Sequence, residues 1–100
     1  MWNYNFYVYI ITNSTKTVLY IGVTNDLSRR LYEHTENSGN KKTFAGKHYC
    51  HYLIYYQRFT HIEEAIAREK EIKKWRREKK NALIESQNPD WLFFNKEINE

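Results

Sequence analysis

Four turn-forming residues, Asn13-Ser14-Thr15-Lys16, separate two segments dense in β-branched and aromatic side chains, residues 6–12 and 17–23. Such runs favour extended backbone, and Asn and Ser favour a tight reversal, so the pair is expected to form a β-hairpin. The rest of the chain must be built around it. Side-chain alternation puts Tyr7, Tyr9 and Ile11 on one face of the first strand, and Val18, Tyr20 and Gly22 on one face of the second. Whether the two sets look the same way depends on register, which the sequence does not fix.

Thr24-Asn25-Asp26 offers capping side chains for a helix over residues 27–36. Residues 37–46 are polar, hold two glycines and read as a flexible loop, and residues 52–58 read as a third strand. Thr60 is placed to cap a long helix over residues 61–80, and a short last helix over 82–86 closes at Asn88-Pro89. Trp91, Leu92, Phe93 and Phe94 then form a tail expected to pack back on the body. The order implies an α/β fold, a small three-stranded antiparallel sheet flanked by helices, in a single domain spanning residues 1–100. Three strands alone are marginal, so helix packing must supply much of the core.

The single Cys50 has no partner for an internal disulfide, which fits a reducing, cytoplasmic setting. The apolar run at 6–12 is far shorter than the roughly 20 residues of a membrane span, and no basic stretch precedes it. No membrane association and no secretory signal are therefore expected.

Two helices carry charge where apolar residues belong. With Leu27 at zero on a wheel of about 100° per residue, Leu31 falls at about 40°, Arg30 at about 300° and His34 at about 340°. Arg30 and His34 thus share the apolar face. In the long helix, with Ile62 at zero, Ala65 falls at about 300°, Ile66 at 40°, Ile72 at 280° and Glu69 at 340°. Glu69 is expected in the middle of the stripe. A core-facing carboxylate has to be paired, metal-bound or protonated. Pairing with Arg30 is the structural alternative to a site. Both helices are expected to aim their charged residues at the same sheet face, so that Tyr9, Tyr20, Arg30, His34 and Glu69 converge on one concave patch.

The chain carries a net +4, while residues 68–80 hold eight Lys/Arg and three Glu, a local +5 that leaves −1 elsewhere. Such a block is a footprint for a polyanion or, equally, a solvated helix face. The histidines His48, His51 and His61 beside the lone Cys50 lack paired ligand spacing, so they read as surface or strand residues and not as a zinc site.

Taken in order, Tyr7-Val8-Tyr9, Tyr20-Ile21-Gly22, Arg30, His34 and Glu69 resemble the GIY-YIG nuclease family, in its small stand-alone bacterial form, over residues 6–91. Tyr9 matches the tyrosine of the first motif, with Tyr7 in place of its glycine, and the second motif matches at every position. Gln57 stands where small members often have Glu. The resemblance implies a divalent-metal-dependent endonuclease acting on DNA, branched or single-stranded forms included, with RNA as the alternative substrate. The enzyme is expected to be structure-selective or weakly specific and monomeric. The alternative is a nucleic-acid-binding module without cleavage. By the same resemblance, Glu69 holds Mg²⁺ or Mn²⁺, Arg30 stabilises charge on the phosphate, Tyr9 or Tyr20 activates water, and His34 orients or relays a proton. An Asn lines the site, Asn81 first and Asn88 second. Lys73, Lys74, Arg76, Arg77, Lys79 and Lys80 are expected to grip the nucleic-acid backbone.

Overall fold

The computed structural model describes residues 5–98. β1 (Phe6–Thr12) and β2 (Leu19–Thr24) form the hairpin, and β3 (Tyr52–Phe59) pairs with the other side of β1, so the antiparallel sheet runs β2-β1-β3. β1 is central and is buried from Val8 to Thr12. β2 starts two residues later than expected because the Asn13 carboxamide oxygen accepts the Thr17 and Val18 N–H groups, at 2.9 and 3.2 Å. Those donors are thereby withheld from the ladder, and pairing begins at Thr12 opposite Leu19.

The register settles the open face. Tyr9 stands opposite Gly22 and Ile11 opposite Tyr20, so these four residues look the same way. They meet α1 (Leu27–Glu36), whose Leu27 and Leu31 are buried with Tyr9 and Ile11. Asp26 caps α1 by accepting the Arg29 N–H. Val8 and Ile10 point to the opposite face, against Ala65 and Ile72 of α3 (Ile62–Lys73) and Ile84 of α4 (Arg77–Gln87). The two charged helices therefore lie on opposite faces of the sheet, contrary to the expectation of one shared face.

The expected long helix over 61–80 is broken at Lys74, Trp75 and Arg76. A continuous helix would carry a run of cations off the sheet with no apolar stripe to bury. The break instead turns Trp75 onto the core and lets α4 bring Leu83 and Ile84 back over it. His61, not Thr60, occupies the N-cap of α3, and it makes no side-chain capping bond. Inside the expected loop, a single helical turn, α2 (Phe44–Lys47), is capped by Thr43.

Side-chain amides close the outer edge of β3. Gln87 exchanges two hydrogen bonds with the Tyr56 backbone, at 3.1 and 2.9 Å. Asn95 accepts from Leu53 N–H and donates to the His51 carbonyl. Asn88, only 2% exposed, donates to the carbonyls of Ile54 and Leu92 and accepts the Leu92 N–H. The tail packs back in part: Trp91 meets one core cluster, Phe94 and, in α5 (Asn95–Ile98), Ile98 meet the other, while Leu92 and Phe93 stay exposed. An open strand edge is thus covered by a substitute for a fourth strand. Asn88→Ala strands two carbonyls and one N–H in a dry site. At roughly 1 kcal/mol per lost bond it is expected to cost about 2–3 kcal/mol, read as a Tm drop of roughly 10–20 °C. An unchanged Tm would show that the amide is dispensable.

Candidate active site

The centre of the site is a contact that only glycine permits. A Cβ at position 22 would meet the Tyr9 hydroxyl and lie 2.5 Å from its Cζ. With no side chain there, the Tyr9 ring crosses β2, and its hydroxyl reaches α1. Arg30 and His34, one turn apart on that helix, both meet it. Arg30 Nε donates to Tyr9 Oη at 3.3 Å, and His34 Nε2 lies 2.9 Å from the same oxygen. Arg30 Nη1 also donates to Glu33 Oε1 at 2.9 Å, so the guanidinium is held at two of its nitrogens. Tyr20 packs against His34, edge to face, with ring centroids 5.5 Å apart. Tyr20, Arg30 and His34 line a cleft of about 180 Å³ together with Asn37, Thr43 and Phe44. A larger cleft of about 450 Å³, lined by Asn5, Tyr7, Asp26 and Tyr56 among others, contains none of these groups. It has room but not the chemistry.

Burial sets the protonation states. It pushes the Tyr9 hydroxyl up to about 12, against the opposing pull of Arg30. It pushes His34 down to about 4, and the Arg30 charge adds to that shift. Burial also works against the Arg30 charge, but the bonds to Tyr9 and Glu33 more than offset it, so Arg30 stays cationic. A guanidinium only donates, and neutral imidazole offers one bare nitrogen. One chain of donation satisfies all three groups: Arg30 Nε–H to Tyr9 Oη, and Tyr9 O–H to His34 Nε2.

The refused proton on His34 has a consequence for stability. The unfolded chain takes up that proton below about pH 6.5, whereas the folded chain does so only near 4. Stability is therefore full above about pH 6.5 and falls as the pH drops towards 4, by a total approaching about 3 kcal/mol. His34→Gln keeps an acceptor for Tyr9 without a titrating ring, and it is expected to flatten this part of the profile. An equal loss of unfolding free energy by parent and variant between about pH 7 and pH 4.5, read from urea midpoints, would contradict this reading.

Glu69 reaches the site from the other face. α3 starts beside Val23 and Thr24, where Ile62 helps line a cleft with Arg30. Just past its end, Arg77 donates to the carbonyls of Thr17 and Lys16. The helix packs across β1 and β2 on this face, with Glu69 between its two ends. Its charge acts on Tyr9, raising that hydroxyl's pKa. Glu69 does not pair with Arg30: its Oε2 lies 3.6 Å from Lys73 Nζ, and its side chain is 16% exposed. It is also not in the middle of the buried stripe. Ala65 and Ile72 are fully buried while Ile62 and Ile66 are each 37% exposed, so the stripe is rotated and Glu69 sits on its margin.

The other candidates divide. Asn81 accepts from Arg77 Nε at 2.9 Å and is not hydrogen-bonded to Tyr9, Arg30 or His34. Asn88 is committed to the β3 edge. In the basic run, Arg77 fastens the hairpin turn and Lys79 sits over Trp75 at 4.3 Å, while Lys74 and Arg76 are exposed. Gln57 accepts the Tyr55 hydroxyl at 3.2 Å. The sequence reading missed Glu33, although its i+3 spacing from Arg30 is a helical pairing signal, and it missed Phe44.

Among the described residues, no group of three or more His, Cys, Asp or Glu is placed to hold a metal ion. A lone carboxylate nevertheless suits Mg²⁺, which keeps several waters and completes its shell with substrate phosphate. Cys50 is buried, with its thiol pushed up to about 11, which makes it unreactive. No helix among the described residues is long and apolar enough to cross a membrane.

A family model described as the GIY-YIG catalytic domain matches residues 5–81. A UPF0213 protein of Haloquadratum walsbyi is 40% identical over 79 residues, which is 79% of this chain and 85% of that protein. One from Bacillus pumilus is 36% identical over 85 residues, covering 85% of this chain and 84% of its own. The solution NMR structure of a UPF0213 protein from Bacillus halodurans superposes with a TM-score of 0.55 at 32% identity, covering 87% of this chain and 89% of that one.

Proposed function

This chain belongs to the GIY-YIG catalytic-domain family, and on that premise we propose that it is a divalent-metal-dependent endonuclease hydrolysing DNA phosphodiester bonds with weak sequence preference. The observation that carries this reading is the Arg30–Tyr9–His34 chain beside a cleft, with the Glu69 charge acting on it. Such a chain is costly to bury for structure alone.

In this reading Glu69 would hold Mg²⁺ or Mn²⁺, and the bound ion supplies positive charge at the phosphate and a more acidic water. Arg30, fixed by Tyr9 and Glu33, stabilises the charge that builds on the phosphate oxygens. A hydroxyl with a pKa of about 12 stays protonated near neutral pH, so Tyr9 offers no preformed phenolate base. Tyr9 instead couples the two groups that line the cleft: its Oη accepts from Arg30 Nε and shares its own proton with His34 Nε2, so the proton state of His34 and the position of Arg30 are set together. His34 is held neutral first by burial and then by the Arg30 charge, and a phosphate anion bound at Arg30 offsets the second of these. Tyr20 lacks such a proton acceptor and packs the ring of His34 in place. The basic run grips backbone phosphates mainly through Lys74, Arg76 and Lys80, with Lys73 shared with Glu69.

The test is incubation with linear, flapped and branched DNAs, with Mg²⁺ or Mn²⁺ and with chelator. Cleavage that requires the metal supports the enzyme. Salt-dependent binding with no cleavage under any metal condition supports a binding module instead.

A further inference from the structure

The cleft beside Arg30 has one wall that the proposed reaction does not use. Phe44 lines it together with Tyr20, Arg30 and His34, yet 53% of Phe44 is exposed. Its ring stacks on Tyr20 at 6.4 Å and meets His48 at 4.6 Å, so it continues the row of rings that leads out from the site. The backbone beneath it is rigid. Thr43 Oγ1 accepts the Gly46 N–H at 3.0 Å, Cys50 N–H donates to the Ala45 carbonyl at 2.8 Å, and Gly39 N–H donates to the Gly46 carbonyl at 2.9 Å. A Cβ on Gly46 would collide with the carbonyl oxygen of Asn37 at 2.6 Å, so this loop is locked down. On the same loop Tyr49 is 59% exposed and held at φ +58°, an unfavourable backbone for a bulky side chain. The charge matches a polyanion: between Glu36 and Glu63 the chain has no acidic residue, and Lys41, Lys42 and Lys47 are all exposed around Phe44.

We propose that Phe44 is a stacking platform for an unpaired base next to the scissile phosphate, with Lys41, Lys42 and Lys47 taking the flanking phosphates. A rigid aromatic beside a basic track is how single strands are held, because every base offers a π-face once it leaves the duplex. In continuous duplex the bases are stacked on one another and only phosphates reach a surface ring. The platform therefore selects single strands and strand junctions over paired DNA. This inference rests on the nuclease reading for its substrate, but not for its measurement.

Binding is read by fluorescence anisotropy in chelator, with a labelled single-stranded oligodeoxynucleotide, a forked duplex and a blunt duplex. Phe44→Ala and Phe44→Leu are expected to weaken single-strand and fork binding about tenfold, with less than about twofold change on the blunt duplex. Phe44→Trp is expected to bind like the parent and to gain fluorescence that single strands quench and blunt duplex does not. The proposal is overturned if Phe44→Ala binds single strands like the parent, or loses blunt duplex equally. Metal-dependent cleavage would survive that result and leave the nuclease reading intact. Phe44-dependent binding without any cleavage would leave the platform standing and remove the enzyme.

Discussion

Gly22→Ala is expected to lower kcat for DNA cleavage by about 100-fold or more in a protein that still folds. The reason is local. A methyl group at position 22 would sit 2.5 Å from Tyr9 Cζ, well inside contact distance. Tyr9 is 1% exposed and packed among Ile11, Leu31 and Leu53, so it cannot swing away without opening the core. The ring must shift or β2 must bend. Either movement separates Tyr9 Oη from Arg30 Nε and His34 Nε2, which it now meets at 3.3 and 2.9 Å. Overpacking of this kind costs about 1–3 kcal/mol, enough to lower Tm but not to unfold most domains. The expected pattern is a large fall in kcat with a moderate fall in Tm, and an NMR shift of the Tyr9 and His34 rings. A Gly22→Ala protein with parental turnover would remove Tyr9 from the chemistry.

The parts legible in the sequence were those set by local rules. β1 over residues 6–12 and α1 over residues 27–36 appear with the expected bounds, because β-branched content and the Asp26 cap act within a few residues. The failures came where distant packing decided. Nothing in a charged run told that Trp75 would be drawn to the core and split one helix into two. The wheel for α3 was centred by Ile62 and Ile66, which are exposed, so it put Glu69 in mid-stripe instead of on the margin. The face shared by Tyr9 and Tyr20 required the register, and the register followed from the Asn13 bonds in the turn. Asn81 and Asn88 show a different limit. A sequence shows an amide beside a catalytic pattern but not its partners, and the partners are Arg77 for Asn81 and the β3 edge for Asn88.

Glu69→Gln tests the centre of the account. The carboxylate is the one acidic group whose charge reaches Tyr9 from α3, and the amide is nearly isosteric but cannot carry the charge that a divalent cation needs. Its ion pair with the exposed Lys73, at 3.6 Å, contributes at most about 1 kcal/mol. Stability should therefore change little. Binding of single-stranded DNA in chelator should also hold, because neither Phe44 nor the lysines around it depend on Glu69. The decisive measurement is single-turnover cleavage of a forked DNA with Mg²⁺, by the parent and by Glu69→Gln, with circular dichroism and chelator controls on both. The account predicts metal-dependent cleavage by the parent and a loss of about 1000-fold in the variant at unchanged fold and binding. Cleavage by Glu69→Gln at the parental rate, or parental cleavage that persists in chelator, would contradict it.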